Sequence, residues 1–432
     1  MSISNAMASG VSGLLANSKA VENISYNIAN ADTVGYRRSF SQMVTSGSNM
    51  PTTSRSVGVG TTDAHANTAD GSFSPTSVAS NLAISGSGFF VVNSNIDASY
   101  TSGNVFTRVG SFEPDANGNL RNAAGLYLMG FPSGEDGTLG AVDRSTFDDL
   151  QPVNVANRTL GATPTTTMSL SGNLPSQETG QMNPGEPFVT SAVFYNALGE
   201  AQQLSMSFQP TWNKNEWDIT ISHEGMDYGR VTVRFSDTGT NVGSPDYYGD
   251  VQDLSWNNGF SFNTATGTMT LDLYSGGSPQ TLEVSLGAIS SSGGLTQFSG
   301  DYTPLNVEAD GSASGTMSRV EFDEFGTVWG VFDNGSRSAL YSIPLATFAN
   351  PNGLATSNNS TFTTSRESGS FYLGNAGTGE TGTLSSGGVE TANVDIAEEL
   401  TSLIQKQRAY SSNAKIITTA DEMLNETVNL KR

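Results

Sequence analysis

The two ends of this chain carry one pattern, and the roughly 350 residues between them do not. From Ile396 onward, positions spaced alternately four and three apart read Ile396, Leu400, Leu403, Gln407, Tyr410, Ala414, Ile417, Asp421, Leu424 and Val428, and eight of these ten are apolar. At the other end the same spacing reads Ile3, Met7, Gly10, Leu14, Asn17, Val21, Ile24, Ile28 and Ala31, with seven of nine apolar. Apolar residues at this spacing predict helices with one sticky seam each. Two such seams, at opposite ends of one chain, predict that the termini meet each other or copies of themselves. The seam residues other than Gly10, Asn17, Ala31 and Asp421 are the candidate self-assembly interface.

The body between them has a different character. The chain has 432 residues, 48 of them Gly, and only 14% are charged. That usage fits a turn-rich β body better than a helical enzyme. The net charge of −22 argues against a nucleic-acid partner, because phosphate binding needs a cationic surface. Residues 1–40 hold three basic and two acidic groups, and residues 390–432 hold five basic and seven acidic ones, so −21 of the charge lies between them. Like-charged surface keeps a body solvated, whereas near-neutral ends can pack closely. The chain contains no cysteine, so disulfides and thiolate metal sites are ruled out. The N-terminus lacks the basic start and unbroken apolar core of a secretory signal, and no apolar run reaches membrane-spanning length.

Along the chain, residues 1–31 read as helix, with stop signals from Asn30 to Gly35. Residues 39–80 and 356–390 are Ser/Thr/Gly-rich and read as an extended connector. Strand signals run from Leu82 through Phe131, with a hairpin turn at Asp115 to Asn119, and resume from Arg319 to Ile343 around Asn334-Gly335. A Thr-Pro-Thr-Thr-Thr stretch at Thr163 to Thr167 marks a boundary. Beyond it, Leu204, Met206 and Phe208 alternate, as do Trp217, Ile219 and Ile221, around a turn at Asn213 to Asn215. Residues 166–300 hold 13 acidic and 3 basic groups. The expected fold is mainly β with α-helical termini and nested domains. Residues 1–38 with 391–432 form a terminal helical core, and 39–80 with 356–390 the connector. Residues 81–165 with 302–355 form an inner β domain, and 166–301 an outer one. The terminal helices would make a coiled-coil-like inner layer with the two β-rich domains outside.

Three ordered motifs resemble one family. Asn27-Ile28-Ala29-Asn30-Ala31-Asp32-Thr33-Val34-Gly35-Tyr36-Arg37 follows the first helix. Phe106-Thr107-Arg108-Val109-Gly110-Ser111-Phe112 precedes Asp115, Gly118, Leu120 and Gly125. The last helix carries Asn393-Val394-Asp395, Glu399-Leu400, Gln407-Arg408-Ala409-Tyr410, Asn413, Lys415 and Asp421 to Leu424, closing on Asn429 to Arg432. Together they resemble the rod and hook proteins of the bacterial flagellar axis. Tyr26 and Arg37 stand where that family commonly has Asn and Lys. The motif residues singled out are Asn27, Ala29, Asn30, Thr33, Gly35, Tyr36 and Arg408.

The resemblance implies a non-enzymatic subunit of a self-assembling helical tube outside the cell, exported unfolded through its own channel, with terminal helices lining the lumen. A single insert at 166–300 fits a hook-type member, which works as a universal joint passing torque from rod to filament. The implied partners are further copies of the chain, the distal rod protein, the hook cap protein, the hook–filament junction proteins and the flagellar type III export apparatus. No nucleic acid, membrane insertion or cofactor is implied. The alternatives are an enlarged distal-rod or junction protein, or a secreted β-rich adhesin or enzyme with helical tails.

The chemistry-bearing residues give little else. Asp115-Ala116-Asn117-Gly118-Asn119 starts like a calcium loop, but Leu120 and Leu126 stand where Gly and Glu are needed, which favours a plain turn. His65 and His223 have no second histidine at ligand spacing, so no metal site is expected. No lysine follows a glycine, so there is no Walker loop, and Gly86-Ser87-Gly88 reads as a strand break. No carboxylate pair is singled out for catalysis. Gly10 either permits close helix approach or is a weak spot.

Overall fold

A computed structural model describes residues 3–47, 57–97, 103–134, 138–256, 258–275 and 278–429. The chain divides into two compact units. Unit 1 comprises residues 1–157, 318–331 and 337–432, and unit 2 comprises residues 158–317 and 332–336.

Unit 1 contains both helices, α1 (Ile3–Ala29) and α2 (Ile396–Asn429). They lie antiparallel. Gly10 of α1 sits over Ile417, and Asn27 bonds Glu399. Helix α2 opens on an Asp395 cap, whose Oδ1 accepts the N–H of Ala397 (2.8 Å) and of Glu398 (3.3 Å). Such a cap satisfies donors that the first turn would leave unpaired. Alongside α1 runs an antiparallel hairpin of Ser39–Gly47 and Val57–His65. It is tied to the helix by Asn23, whose Nδ2 donates to Ser41 Oγ (2.8 Å) and Asp63 Oδ1 (2.9 Å).

This hairpin corrects the expectation of an extended connector. Further along, Phe73–Pro75 pairs with Gly388–Glu390, and Leu82–Ser85 pairs with Thr383–Ser386. Residues 361–363 and 371–375 also pair, with Asn104–Thr107 and Pro344–Phe348 respectively. These stretches are thin in apolar residues because most of them are narrow ribbons rather than sheet interiors. Backbone hydrogen bonding, not burial, holds a ribbon, and it leaves no alternation to read.

The β body of unit 1 is centred on phenylalanines. Phe89, Phe106, Phe131 and Phe362 are buried together with Leu150, Leu354 and Leu373. Phe89 meets Phe348 and Phe362 edge-on at 5.8 and 5.6 Å, and Phe147 stacks on Phe371 at 4.3 Å. These are the offset and edge-to-face geometries that the ring quadrupole favours.

Unit 2 is a two-sheet sandwich. One sheet is an antiparallel meander of Phe188–Tyr195, Ala201–Pro210, Glu216–His223, Met226–Phe235 and Pro245–Asp253. The other is built around Thr167–Pro175, Thr268–Ser275 and Ser278–Ser285. Leu204, Met206, Phe208, Trp217, Ile219 and Ile221, the residues that alternate in the sequence, all have no exposed surface and enter one core with Leu271, Leu282 and Val284.

One turn recurs in both units. Asp115, Asn122, Asn196 and Asp323 each accept on Oδ1 the backbone N–H groups two and four residues on, at 2.7–3.1 Å. The residue three places on is always glycine (Gly118, Gly125, Gly199, Gly326), with φ between +78 and +86. That left-handed backbone is cheap only without a Cβ, so Asx-x-x-Gly-x is a hairpin module of this chain. At Asp115 these bonds occupy the carboxylate that resembles a calcium ligand and hold it below the usual carboxylate range.

Truncating Phe208 to Ala leaves a cavity in the sandwich core, which costs about 3–5 kcal/mol for a buried aromatic. Trp217, buried in the same core, reports the change. A urea titration followed by tryptophan emission is expected to show the unit 2 transition at lower denaturant, with the unit 1 transition unmoved.

Candidate functional site

The helix pair is the candidate site, and it is held by two polar clusters in unit 1. The first closes the pair. Asn27 Nδ2 donates to Ser39 O (2.8 Å) and to Glu399 Oε1 (3.1 Å), while its Oδ1 accepts from Tyr36 Oη (3.1 Å) and Ser39 N (2.9 Å). Arg38 Nε also donates to Glu399 Oε1. Asn27 and Glu399 are buried, so each amide and carboxylate bond here replaces a bond to water. Burial raises the Tyr36 hydroxyl above its ordinary value, a hydrogen bond with Ser39 offsets part of this, and the Glu399 charge adds to it. Asn393 completes the cluster, with Oδ1 accepting from Arg38 N (2.7 Å) and Nδ2 donating to the carbonyls of Ala66 and Ala69 (both 2.8 Å).

The second cluster ties the helix base to the β body. Glu390 lies between two guanidinium groups, with Oε1 2.8 Å from Arg37 Nη2 and Oε2 3.3 Å from Arg108 Nη1. All three side chains are at most 3% exposed. Glu390 Oε1 also accepts Gly71 N (2.7 Å), Arg37 donates to Ala69 O (2.7 Å), and Arg108 donates to Gly86 O (2.8 Å). Burial brings the Arg108 pKa down to about 10, with the Arg37 charge acting the same way and Glu390 and Asp70 opposing. Gly35 has φ +66, and a Cβ there would stand 2.6 Å from Val109 N and 2.7 Å from Arg108 C. The glycine of the motif is therefore required twice, for its dihedral and for its clearance.

The apolar seams divide between two jobs. On α1, Ile24 is buried, and Met7, Leu14, Val21 and Ile28 are half-buried. On α2, Leu403, Ala414 and Ile417 are half-buried, while Ile396, Leu400, Gln407, Tyr410 and Leu424 are exposed. The side chains of Ile3 and Val428, and residues 430–432, lie outside the described residues. Small groups dominate the contact between the helices. A Cβ on Gly10 would come within 2.9 Å of Ile417 Cγ1, and one on Gly13 within 2.7 Å of Asn413 Nδ2, so both glycines mark close approach. Ala16, Ala20 and Ala420 are buried as well.

The large apolar groups left over form an exposed stripe. On α2 it includes Ile396 (46%), Leu400 (46%), Ile404 (52%) and Tyr410 (45%), and α1 adds Val11 and Leu15. Near the open end, a groove of about 460 Å³ runs beside Ala6, Ile416, Thr419 and Ala420. Ile404 and Ile416 fall off the strict heptad line, which is why the spacing missed them. A straight helix drifts by roughly 20° per heptad against that line. Of the motif residues, Asn27, Gly35 and Tyr36 are in the clusters, and Asn30 accepts Thr33 Oγ1 at 3.2 Å. Ala29 and Arg408 are exposed. Glu390 was not singled out by sequence, because its partners are 353 and 282 residues away.

Comparison with known proteins agrees with this layout. Three family descriptions match in order: "Flagella basal body rod protein" at residues 7–37, "Flagellar hook protein FlgE/F/G D1 domain" at 83–165, and "Flagellar basal body rod FlgEFG protein C-terminal" at 385–430. The chain is 34% identical to the flagellar hook protein FlgE of Brucella suis, over the whole of both chains. It is 31% identical to that of Escherichia coli K12, over 99% of this chain and 100% of the relative. The crystal structure of the Helicobacter pylori flagellar hook protein FlgE2 has a similar fold, with a TM-score of 0.52 at 16% identity, covering 74% of this chain and all of that one.

Replacing Glu390 with Gln removes the carboxylate that the two buried guanidinium groups share, leaving Arg108 only the partly exposed Asp70 at 3.5 Å. Breaking a buried pair costs about 3–5 kcal/mol, so thermal unfolding is expected at clearly lower temperature. Gly35→Ala is expected to destabilise similarly. Arg319→Ala, an exposed pair with Glu321, is the control and leaves the transition in place.

Proposed function

This chain belongs to the flagellar hook protein family, and we propose that its paired terminal helices are the surface through which copies join into the hook tube. As a hook subunit it is a structural protein of the extracellular flagellum, and the family assembles as a polymer. The observation that carries the proposal is the exposed stripe of Ile396, Leu400, Ile404 and Tyr410 on α2 with Val11 and Leu15 on α1. Fully burying a Leu or Ile stabilises by about 1.5–3 kcal/mol, and a helical polymer repeats the gain in every subunit. Polar clusters on the inner face fix how the helices cross. The outer face then carries apolar area with no role inside one chain.

In this reading residues 1–38 with 391–432 line the tube, and 39–80 with 356–390 join them to the body. Residues 81–165 with 302–355 form the inner wall, and 166–301 stand outside. The interface comprises the exposed α2 seam residues Ile396, Leu400, Gln407, Tyr410 and Leu424 with the off-seam Ile404, Val11 and Leu15, and the half-buried Met7, Leu14, Val21 and Ile28 of α1 and Leu403, Ala414 and Ile417 of α2 support them. The hook bends as a universal joint between rod and filament. Its further partners are the distal rod protein, the hook cap protein, the junction proteins and the type III export apparatus that delivers it. The reading contains no catalytic step.

Leu400→Asp or Ile404→Asp places a carboxylate on the exposed stripe. Burying an unpaired carboxylate between copies costs several kcal/mol. Circular dichroism and thermal unfolding of the free subunit are expected to match wild type, while pelleting and negative-stain imaging show no tubes. Lys415→Ala, which removes a charge from the exposed surface and buries none, is expected to polymerise. Tubes from both Asp variants at wild-type yield would reject the proposal.

A further inference from the structure

Unit 2 carries a cleft of about 600 Å³ outside its core, lined by Tyr228, Trp256 and Tyr274 together with Asp227 and Asp272. Strand alternation builds one wall. On Thr268–Ser275, Leu271 and Leu273 enter the sandwich core with no exposed surface, so Asp272 and Tyr274 stand on the opposite face, where Tyr274 is 63% exposed. Tyr228 comes from Met226–Phe235, and Trp256, 97% exposed, stands on the loop after Pro245–Asp253. That loop is braced. Ser255 donates from N and Oγ to Asp253 Oδ1 (2.9 and 2.5 Å), Gly259 N donates to Ser255 Oγ (2.6 Å), and Leu254 N donates to Tyr228 O (3.0 Å). The rings are therefore gathered at one place on a held backbone, unlike apolar groups scattered singly over a surface.

The negative charge of the cleft is not answered within the unit. Residues 166–300 contain three basic side chains, Lys214, Arg230 and Arg234. Each is paired elsewhere: Lys214 with Asp237 (2.9 Å), Arg234 with Asp246 (3.1 Å), and Arg230 with Asp218. Among the described residues no basic side chain lines the cleft, and neither Asp227 nor Asp272 has an ion-pair partner. Asp272 Oδ1 accepts from Thr281 Oγ1 (2.7 Å), which orients the carboxylate without neutralising it. Glu224 adds to the field. Burial raises the Tyr228 hydroxyl above its ordinary value, the Glu224 charge adds to this, and a bond with the Tyr274 backbone offsets part of it. Aromatic faces beside unpaired carboxylates attract cations that give up water readily. A hard metal ion suits the cleft poorly, because it needs a full set of oxygen ligands, and no group of three acidic or histidine side chains is placed to hold one among the described residues.

We propose that this cleft binds a small organic ammonium ion carrying alkyl groups, with those groups against Trp256, Tyr274 and Tyr228 and the charge beside Asp227 and Asp272. A quaternary or methylated ammonium matches both halves of the site, because it is cationic and apolar at once. A neutral saccharide would use the rings but leave the negative charge unanswered. The site uses no residue of the helix pair, so it stands or falls separately from the assembly surface.

Saturation-transfer NMR of the full-length free subunit with choline chloride, at ionic strength held constant with sodium chloride, tests the proposal. Transfer to the choline methyl groups is expected. The tert-butyl analogue of choline, which has the same shape without the charge, is expected to bind about tenfold more weakly. Trp256→Ala is expected to abolish transfer, and Asp272→Asn, which keeps an oxygen for Thr281, to weaken binding about threefold. Trp212→Ala, at a residue 74% exposed in the turn at 211–215, is expected to leave binding unchanged. All three altered side chains are exposed, so the urea transition of unit 2 is expected to stay in place and to exclude misfolding as the cause of any loss. Equal binding of choline and its neutral analogue overturns the proposal. So does transfer to maltotriose with none to choline, the absence of transfer to choline in the wild-type chain, or a Trp256→Ala variant that binds choline like wild type. Equal loss in Trp212→Ala and Trp256→Ala would show that choline meets exposed rings without a site, and overturns it as well.

Discussion

Glu390 receives two guanidinium groups, Arg37 and Arg108, at a place that water does not reach. Burying such charges is costly unless they are hydrogen-bonded, and here the backbone of Ala69, Gly71 and Gly86 adds three bonds to the two ion pairs, while Arg37 Nε and Arg108 Nε stay buried without a partner among the described residues. Five separate stretches of chain meet around this carboxylate: the exit from α1, the loop at 69–71, the break at Gly86, the strand end at Arg108, and the approach to α2. Gly35 fits against the Arg108–Val109 backbone because it has no side chain. The directions in which the two helices leave the β body of unit 1 follow from this crossing.

From that base the helix pair is held mostly by small and polar groups. Asn27, Arg38, Tyr36 and Glu399 lock one end, and Gly10, Gly13, Ala16, Ala20 and Ala420 let the helices approach along their length. A contact made this way spends few large apolar residues. Those residues are exposed on the other face. In the function proposed above, crossing geometry is set inside the subunit and adhesion is left for assembly. In unit 2 the core around Trp217 is complete in itself.

Much of this was legible before the structure. The seams announced both helices, alternation located two strands of the unit 2 core at Leu204 to Phe208 and Trp217 to Ile221, and Asn213 to Asn215 and Asp115 to Asn119 marked real turns. Three things were not. The hairpin beside α1 is a ribbon with little buried apolar surface, so its residues carry no periodic signal. Ile404 and Ile416 lie off a strict heptad line because the helix has 3.6 rather than 3.5 residues per turn. The Glu390 cluster depends on residues hundreds of positions apart, and no local spacing encodes such a contact. The motifs at Asn27–Arg37 and Arg108 pointed toward it, and the physical reason for those residues emerged only when their partners were placed.

Amide hydrogen exchange, read peptide by peptide on the free subunit and on assembled tubes, addresses the central claim most directly. If the helix stripe joins the copies, peptides from 3–29 and 396–429 are clearly more protected in the tube than in the free subunit, while the strands of the unit 2 core are slow in both. Equal protection of the two helices in monomer and tube would mean that the stripe stays uncovered on assembly, and the account of how this subunit polymerises would be wrong.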